Sequence, residues 1–138
     1  TCSRKTYLFF SNYEEVGHGA SAAMPDDSEE IISVDMGAVG DTLRTDEYVV
    51  SICAKDSGGP YDSTVVRSLI ESAKRVGADY SVDIYPFYGS DVEASLRAGY
   101  DVRFGLIGPG VEASHGYERT HYKALENTLK LIEGYVGN

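Results

Sequence analysis

Basic residues are few and scattered: 12 Lys and Arg stand against 22 Asp and Glu, for a formal net charge of −10. Nucleic acids and anionic membranes are bound largely through clustered cations, so the balance argues against either as a partner. No apolar run approaches the roughly 20 residues a membrane-spanning helix needs, which points to a soluble chain. Cysteine is almost absent, and Cys2 and Cys53 allow at most one bridge. With no secretory segment in view, both read as reduced thiols of a cytoplasmic protein, with Cys53 filling core space. Internal repeats and low-complexity linkers are missing as well. So is an initiating Met: the chain opens at Thr1 and enters an apolar run within a few residues. That leaves no room for a targeting peptide and implies a fragment.

What is present is ordinary globular chemistry. The 138 residues, 42% hydrophobic and 25% charged, suit one domain with a single core. Tyr7-Leu8-Phe9-Phe10 is a short apolar run without helical spacing, as in a strand buried on both faces. Ala20 to Ala23 fits one helical turn, and Met24-Pro25-Asp26-Asp27 a surface turn. Glu30 to Gly37 and Tyr48 to Ala54 are β-branched apolar runs that predict strands, with a loop over residues 38–46 between them. Val65, Val66, Leu69, Ile70, Ala73 and Val76 recur on one helix face, capped by Asp62 or Ser63 and stopped by Gly77. Tyr80 to Tyr85 alternates up to Pro86 as a half-exposed strand. Gly89-Ser90-Asp91 opens a second helix that Gly99 closes. Val102 to Ile107 predicts a further strand, and residues 108–118 a loop. A last helix runs from about Thr120, its N-cap, to Tyr135, with Tyr122, Leu125, Thr128, Leu129 and Ile132 on one side. Strands alternating with helices indicate an α/β layered fold with helices on both faces of the sheet.

Ligands of such sheets collect beyond the carboxyl ends of strands. Glu14, Glu15, Asp35 and His115 all lie at or just past a predicted strand end. Neighbouring side chains on a strand point to opposite faces, so Glu14 and Glu15 serve one centre only if the backbone turns there. Gly17 and Gly19 permit that turn. One carboxylate can then hold a metal ion while its neighbour moves protons, the division of labour metal-assisted hydrolysis requires.

Four stretches, Tyr13-Glu14-Glu15-Val16-Gly17-His18-Gly19-Ala20-Ser21, Val34-Asp35-Met36-Gly37, Gly89-Ser90-Asp91 and Ser114-His115-Gly116-Tyr117-Glu118-Arg119-Thr120-His121, occur in an order that resembles the cytosolic dinuclear-metal aminopeptidases. That family includes the glutamyl and tetrahedral aminopeptidases. The resemblance implies a mixed, mostly parallel sheet of the phosphorylase/peptidase-like type, incomplete at its N-terminus. It further implies hydrolysis of N-terminal residues from peptides. In that family's terms Glu14 is the catalytic carboxylate that takes a proton from the attacking water and passes it to the departing amine. Glu15 and His115 are ligands of one ion and Asp35 of the other. Zinc or cobalt suits such donors. Glu118 is within reach of a hydrogen bond to His115, while His18 and His121 stay outside the ligand set and His121 suits a capping role. Ser90 and Asp91 are candidates to line the substrate pocket, and a homo-oligomer is the expected assembly.

The family pattern has two further ligands, a His in a His-X-Asp motif and a metal-bridging Asp, both upstream of the Glu-Glu pair. The residues before Glu14 contain neither His nor Asp. Residues 1–138 therefore read as the C-terminal portion of a catalytic domain, without the dimerisation domain, inactive by itself and weak in binding a metal pair. Uncovered sheet and helix surfaces should make it self-associate or leave it only marginally stable. Two other readings stand beside this one: another dinuclear hydrolase such as a deacylase or carboxypeptidase, and a non-catalytic α/β assembly module.

Overall fold

The structure, a computed structural model, describes residues 4–137; Cys2 lies outside them. The sheet is centred on β3 (Val50–Asp56), whose first four residues Val50, Ser51, Ile52 and Cys53 are all buried. A strand covered on both faces is apolar without alternation, which is how this one reads in the sequence. It pairs antiparallel with β6 (Arg103–Val111) and parallel with β5 (Tyr80–Ile84). β1 (Glu30–Val34) and β2 (Gly37–Ala38) both pair parallel with β6, and β4 (Gly59–Pro60) turns back on the end of β3.

Among the described residues three helices cover the sheet. α1 (Ser63–Val76) starts where the Asp62 carboxylate accepts hydrogen bonds from the Thr64 and Val65 amides, and ends at Gly77 with φ of 65°. Both stops follow from residue type, an acceptor side chain for orphan N–H groups and a glycine for the left-handed cap. With α3 (Tyr122–Val136) it buries Val65, Leu69, Ala73, Leu131 and Tyr135 against Val50, Ile52 and Ile107. Full burial of a side chain such as Leu69 or Leu131 contributes roughly 1.5–3 kcal/mol. The alternate side chains of the same strands, Cys53 and Leu106, face the other way and pack with Tyr61, Tyr85 and Val92 of α2 (Asp91–Arg97). The sheet is thus mixed, with helices on both faces. Cys53 is 1% exposed, and burial pushes its thiol up to about 12.

Several elements depart from the sequence expectation. Tyr7 to Phe10 forms no strand: the run has no ladder partner and is open, with Leu8 84% and Phe10 82% exposed. An apolar run becomes a buried strand only where the sheet offers it an edge and a cover, and among the described residues it meets neither. Ala20 and Ala23 adopt φ of 53° and 61° in bends, which no helical turn tolerates. β6 continues past Ile107 to Val111, through what the glycines and proline suggest is loop. α3 is capped by His121, whose Nδ1 accepts from the Lys123 amide at 3.1 Å, while the Thr120 hydroxyl donates to the Gly110 carbonyl. Its buried face is also rotated from the expected one: Ala124, Asn127, Thr128, Leu131 and Tyr135 are covered, whereas Tyr122, Leu125 and Leu129 are exposed.

Candidate functional site

A cleft of about 1050 Å³ opens beside the carboxyl ends of β1 and β6 and is walled by the segment between β5 and α2. Glu14, Glu15, Asp35, Ser90, Asp91 and His115 all line it, as do Glu118, Glu93 and Tyr88. Each reaches the cleft by a different local device.

Glu14 and Glu15 stand on a single 3-10 turn, Glu14–Val16, rather than at a strand end. The turn is entered through Tyr13 at φ of 62° and left through Gly17 at 75°. A left-handed conformation at a tyrosine is strained, and such strain is a feature of functional segments. The turn brings two adjacent carboxylates to one cleft, as the glycines allow.

Asp35 owes its place to a break in the ladder. β1 and β2 pair with β6 in one continuous register, Val34 opposite Ile107 and Gly37 opposite Gly110. Between them Asp35 and Met36 leave the strand, alongside Gly108 and Pro109. Pro109 has no N–H to offer a ladder. A β-carbon on Gly108 would overlap the Asp35 carbonyl, and one on Gly110 the Asp46 carbonyl. The bare position at Gly108 lets the backbone of Asp35 come close enough for the kink, while the one at Gly110 admits the Asp46 carbonyl. The Asp35 amide still donates to Ile107, and its carboxylate accepts from the Met36 amide at 2.7 Å.

His115 follows β6 and is also left-handed, with φ of 61°. Its main-chain amide donates to the Glu118 carboxylate at 3.0 Å, so Glu118 fastens the loop through the backbone rather than through the ring. That leaves the imidazole free: His115 Nε2 lies 3.9 Å from the Glu15 carboxylate, and both side chains are nearly four-fifths exposed.

Glu14 is half-buried amid like charges. Burial first, then the charges of Asp35, Glu15 and Asp91, hold its carboxyl above the ordinary 4.5, with His115 opposing them. A carboxylate placed so is a better proton acceptor near neutral pH than an exposed one. Asp91 lies against Gly19, where a β-carbon would overlap its carboxylate, and takes a short hydrogen bond from Ser11. Ser90 is 8% exposed, and its hydroxyl pairs at 2.9 Å with the Tyr61 hydroxyl, which donates to the buried Asp56. That hydroxyl is committed within the wall.

The donor types suit a divalent cation, since carboxylate and imidazole oxygen and nitrogen are borderline-to-hard ligands. Glu15 with His115 makes a pair, and Asp35 opens on the same cleft. Among the described residues, however, no three His, Cys, Asp or Glu side chains converge closely enough to enclose an ion. The chemistry of a metal centre fits and the number of ligands falls short. His18 stays outside the cleft lining, and His121 is engaged as a cap. Sequence reasoning missed Tyr88 and Gly108. The Gly-Pro-Gly spacing within an apolar run was the available signal for the second.

Comparison with known proteins bears on the family and the fold. The family model of the M42 glutamyl aminopeptidases matches residues 1–131. YhfE of Bacillus subtilis (strain 168), a provisionally named aminopeptidase, is 48% identical over 131 residues, which is 95% of this chain and 38% of the relative. The chain thus spans about two-fifths of that protein's length. The PhTET1-12s dodecamer superposes with a TM-score of 0.78 at 22% identity, over 91% of this chain and 39% of that one. The TET aminopeptidase of Thaumarchaeota archaeon SCGC AB-539-E09 gives 0.71 at 13% identity, over 81% and 34%. At such identities the two structures speak to the fold, and the fold is shared.

Proposed function

The chain belongs to the M42 glutamyl aminopeptidase family, and we propose that it acts as the C-terminal portion, residues 1–138, of the catalytic domain of a metal-dependent aminopeptidase. One observation carries the reading: Glu14, Glu15, Asp35 and His115, from three separate stretches of chain, open on a single cleft. In this reading Glu15 and His115 would hold one divalent ion and Asp35 another, zinc or cobalt being the cations those donors suit. When bound, such ions supply Lewis-acid polarisation of the scissile carbonyl and activation of water.

The chain's own residues do the rest. Glu14 accepts the proton of the attacking water and returns it to the departing amine nitrogen, and its raised pKa suits both halves of that transfer. Glu118 holds the His115 backbone so that the imidazole is presented to the cleft. Asp91 faces the substrate, and Ser90 secures the wall behind it. The acidic lining favours a ligand carrying a cationic amino terminus. Assembly as a homo-oligomer is supported by the dodecamer of PhTET1-12s, and a cytoplasmic location rests on the resemblance to cytosolic enzymes.

The test is hydrolysis by the intact protein loaded with zinc or cobalt. Aminoacyl anilides should be cleaved, N-acylated ones spared, and Glu14→Gln should lower kcat about 1000-fold while leaving metal uptake in place. Cleavage confined to acylated substrates would transfer the reading to a deacylase. No hydrolysis of either class would overturn it.

A further inference from the structure

The turn that carries Glu14 and Glu15 is knitted mostly to itself. The Val16, His18 and Gly19 amides donate to the Tyr13 carbonyl at 3.3, 3.0 and 3.2 Å, and the Ser21 amide and hydroxyl to that of His18. Bonds of this local kind shape the turn without fixing where it stands. Among the described residues, two hydrogen bonds join residues 11–21 to the rest of the fold, and both run to α2. The Ser11 hydroxyl donates to the Asp91 carboxylate, and the Ser95 hydroxyl donates to the Ala20 carbonyl at 2.7 Å. The second is the buried one, with Ser95 0% and Ala20 8% exposed. A helical serine ordinarily turns its hydroxyl to solvent or to the carbonyl one turn back. This one leaves its helix for a residue 75 positions earlier. Ala20 is left-handed, with φ of 53°, a conformation that alanine holds only where its surroundings impose it. Beside it the Gly19 backbone lies so close to Asp91 that a β-carbon would overlap the carboxylate. The segment is thus seated on α2 on both sides of the Glu14-Glu15 pair.

We propose that Ser95 is a positioning residue, holding the Ala20 carbonyl against α2 so that the turn presents Glu14 to the cleft. The inference rests on the reading of Glu14 as the proton carrier. α2 is itself a fixed support, through buried Val92 and through the Ser90 hydroxyl on that of Tyr61. Without the Ser95 hydroxyl the Ala20 carbonyl is left buried and unpaired, which is costly. The turn can relieve that cost by lifting off α2, since Tyr13 and residues 15–18 are already exposed and little packing opposes the movement. Displacing a catalytic group by about 1 Å can cost on the order of 100-fold in rate.

Hydrogen exchange over residues 11–21 of the intact protein, paired with hydrolysis of an aminoacyl anilide, tests the assignment in Ser95→Ala. The amides of residues 16–21 should exchange about 10-fold faster, the factor that one lost hydrogen bond is worth. Those of β3 and α1 should keep their wild-type rates. In the same variant kcat should fall about 10–100-fold, with KM changed by less than about twofold. Ser72→Ala, which removes another buried serine hydroxyl, on α1, should do neither. Unchanged exchange in the segment would overturn the inference. Faster exchange there with kcat intact would overturn it too, because the seat on α2 would then not serve the chemistry. Faster exchange throughout the protein would make Ser95 a packing residue, again overturning it. A wild-type protein that cleaves no anilide would instead remove the reading of Glu14, whatever the exchange shows, and the positioning role with it.

Discussion

Glu14 shows how function and stability pull apart at a single side chain. Its folded-state pKa lies above the ordinary 4.5 because burial and three neighbouring carboxylates disfavour the charge. A group raised in this direction destabilises the fold when ionised, and the penalty disappears as pH falls through the folded value towards the unfolded one. Glu14→Gln should therefore raise the Tm of the metal-free chain at pH 7 and make no difference near pH 4. Thermal unfolding at the two pH values checks this, and a lower Tm at pH 7 would contradict the electrostatic account. The carboxylates themselves were legible in the sequence, since each stands beside a glycine near an apolar run. Tyr88 was not legible. It shares a cleft with Asp35, 53 positions earlier in the chain, and no local pattern encodes that distance. The left-handed Tyr13 and His115 were hidden for a related reason: non-glycine residues reach positive φ only under tertiary constraint.

Among the elements, β6 carries the greatest burden of placement. Gly108 lies where a side chain would overlap the Asp35 carbonyl, and backbone cannot retreat as a flexible side chain can. Gly108→Ala should cost about 3 kcal/mol, at the upper end of what overpacking does, because the kink that presents Asp35 must open. Urea denaturation measures the loss. A matched Gly40→Ala, where the nearest atom to a new β-carbon lies 3.7 Å away, should stay within about 0.5 kcal/mol. Equal effects at the two sites would remove the close-approach argument. The order and type of the elements were readable because α1 and the strands obey their periods and their caps. Two features resisted. The apolar run Tyr7 to Phe10 has strand composition, but pairing is decided by partners, and the described residues supply none. α3 carries two apolar stripes side by side, Ala124-Leu131-Tyr135 and Tyr122-Leu125-Leu129, with Thr128 and Ile132 between them. Periodicity announces both, and only the position of α1 and the sheet selects the first.

The whole molecule exposes more surface than its size calls for. Its accessible area is 8260 Å², against about 7000 Å² for a compact monomer of 15.0 kDa. Large apolar side chains contribute to that surface: Leu8, Phe10 and Phe87 are open, and the second stripe of α3 adds Tyr122 at 71%, Leu129 at 56% and Leu125 at 47%. Contiguous apolar faces of this kind associate in water, because joining them removes hydrocarbon from solvent at roughly 25 cal/mol per Å². The 138-residue chain, studied alone, should accordingly show a weight-average mass that rises with concentration in sedimentation equilibrium. Salt should not dissolve the association, since added salt screens charge but leaves apolar contact intact. Leu125→Glu combined with Leu129→Glu should shift the chain towards monomer without unfolding it, as neither side chain belongs to the buried face of α3. The far-ultraviolet circular dichroism of that variant should match the parent. A parent chain that stays monomeric throughout would show that the surplus area is tolerated, and a variant that associates as before would place the contact on Leu8 and Phe10 instead.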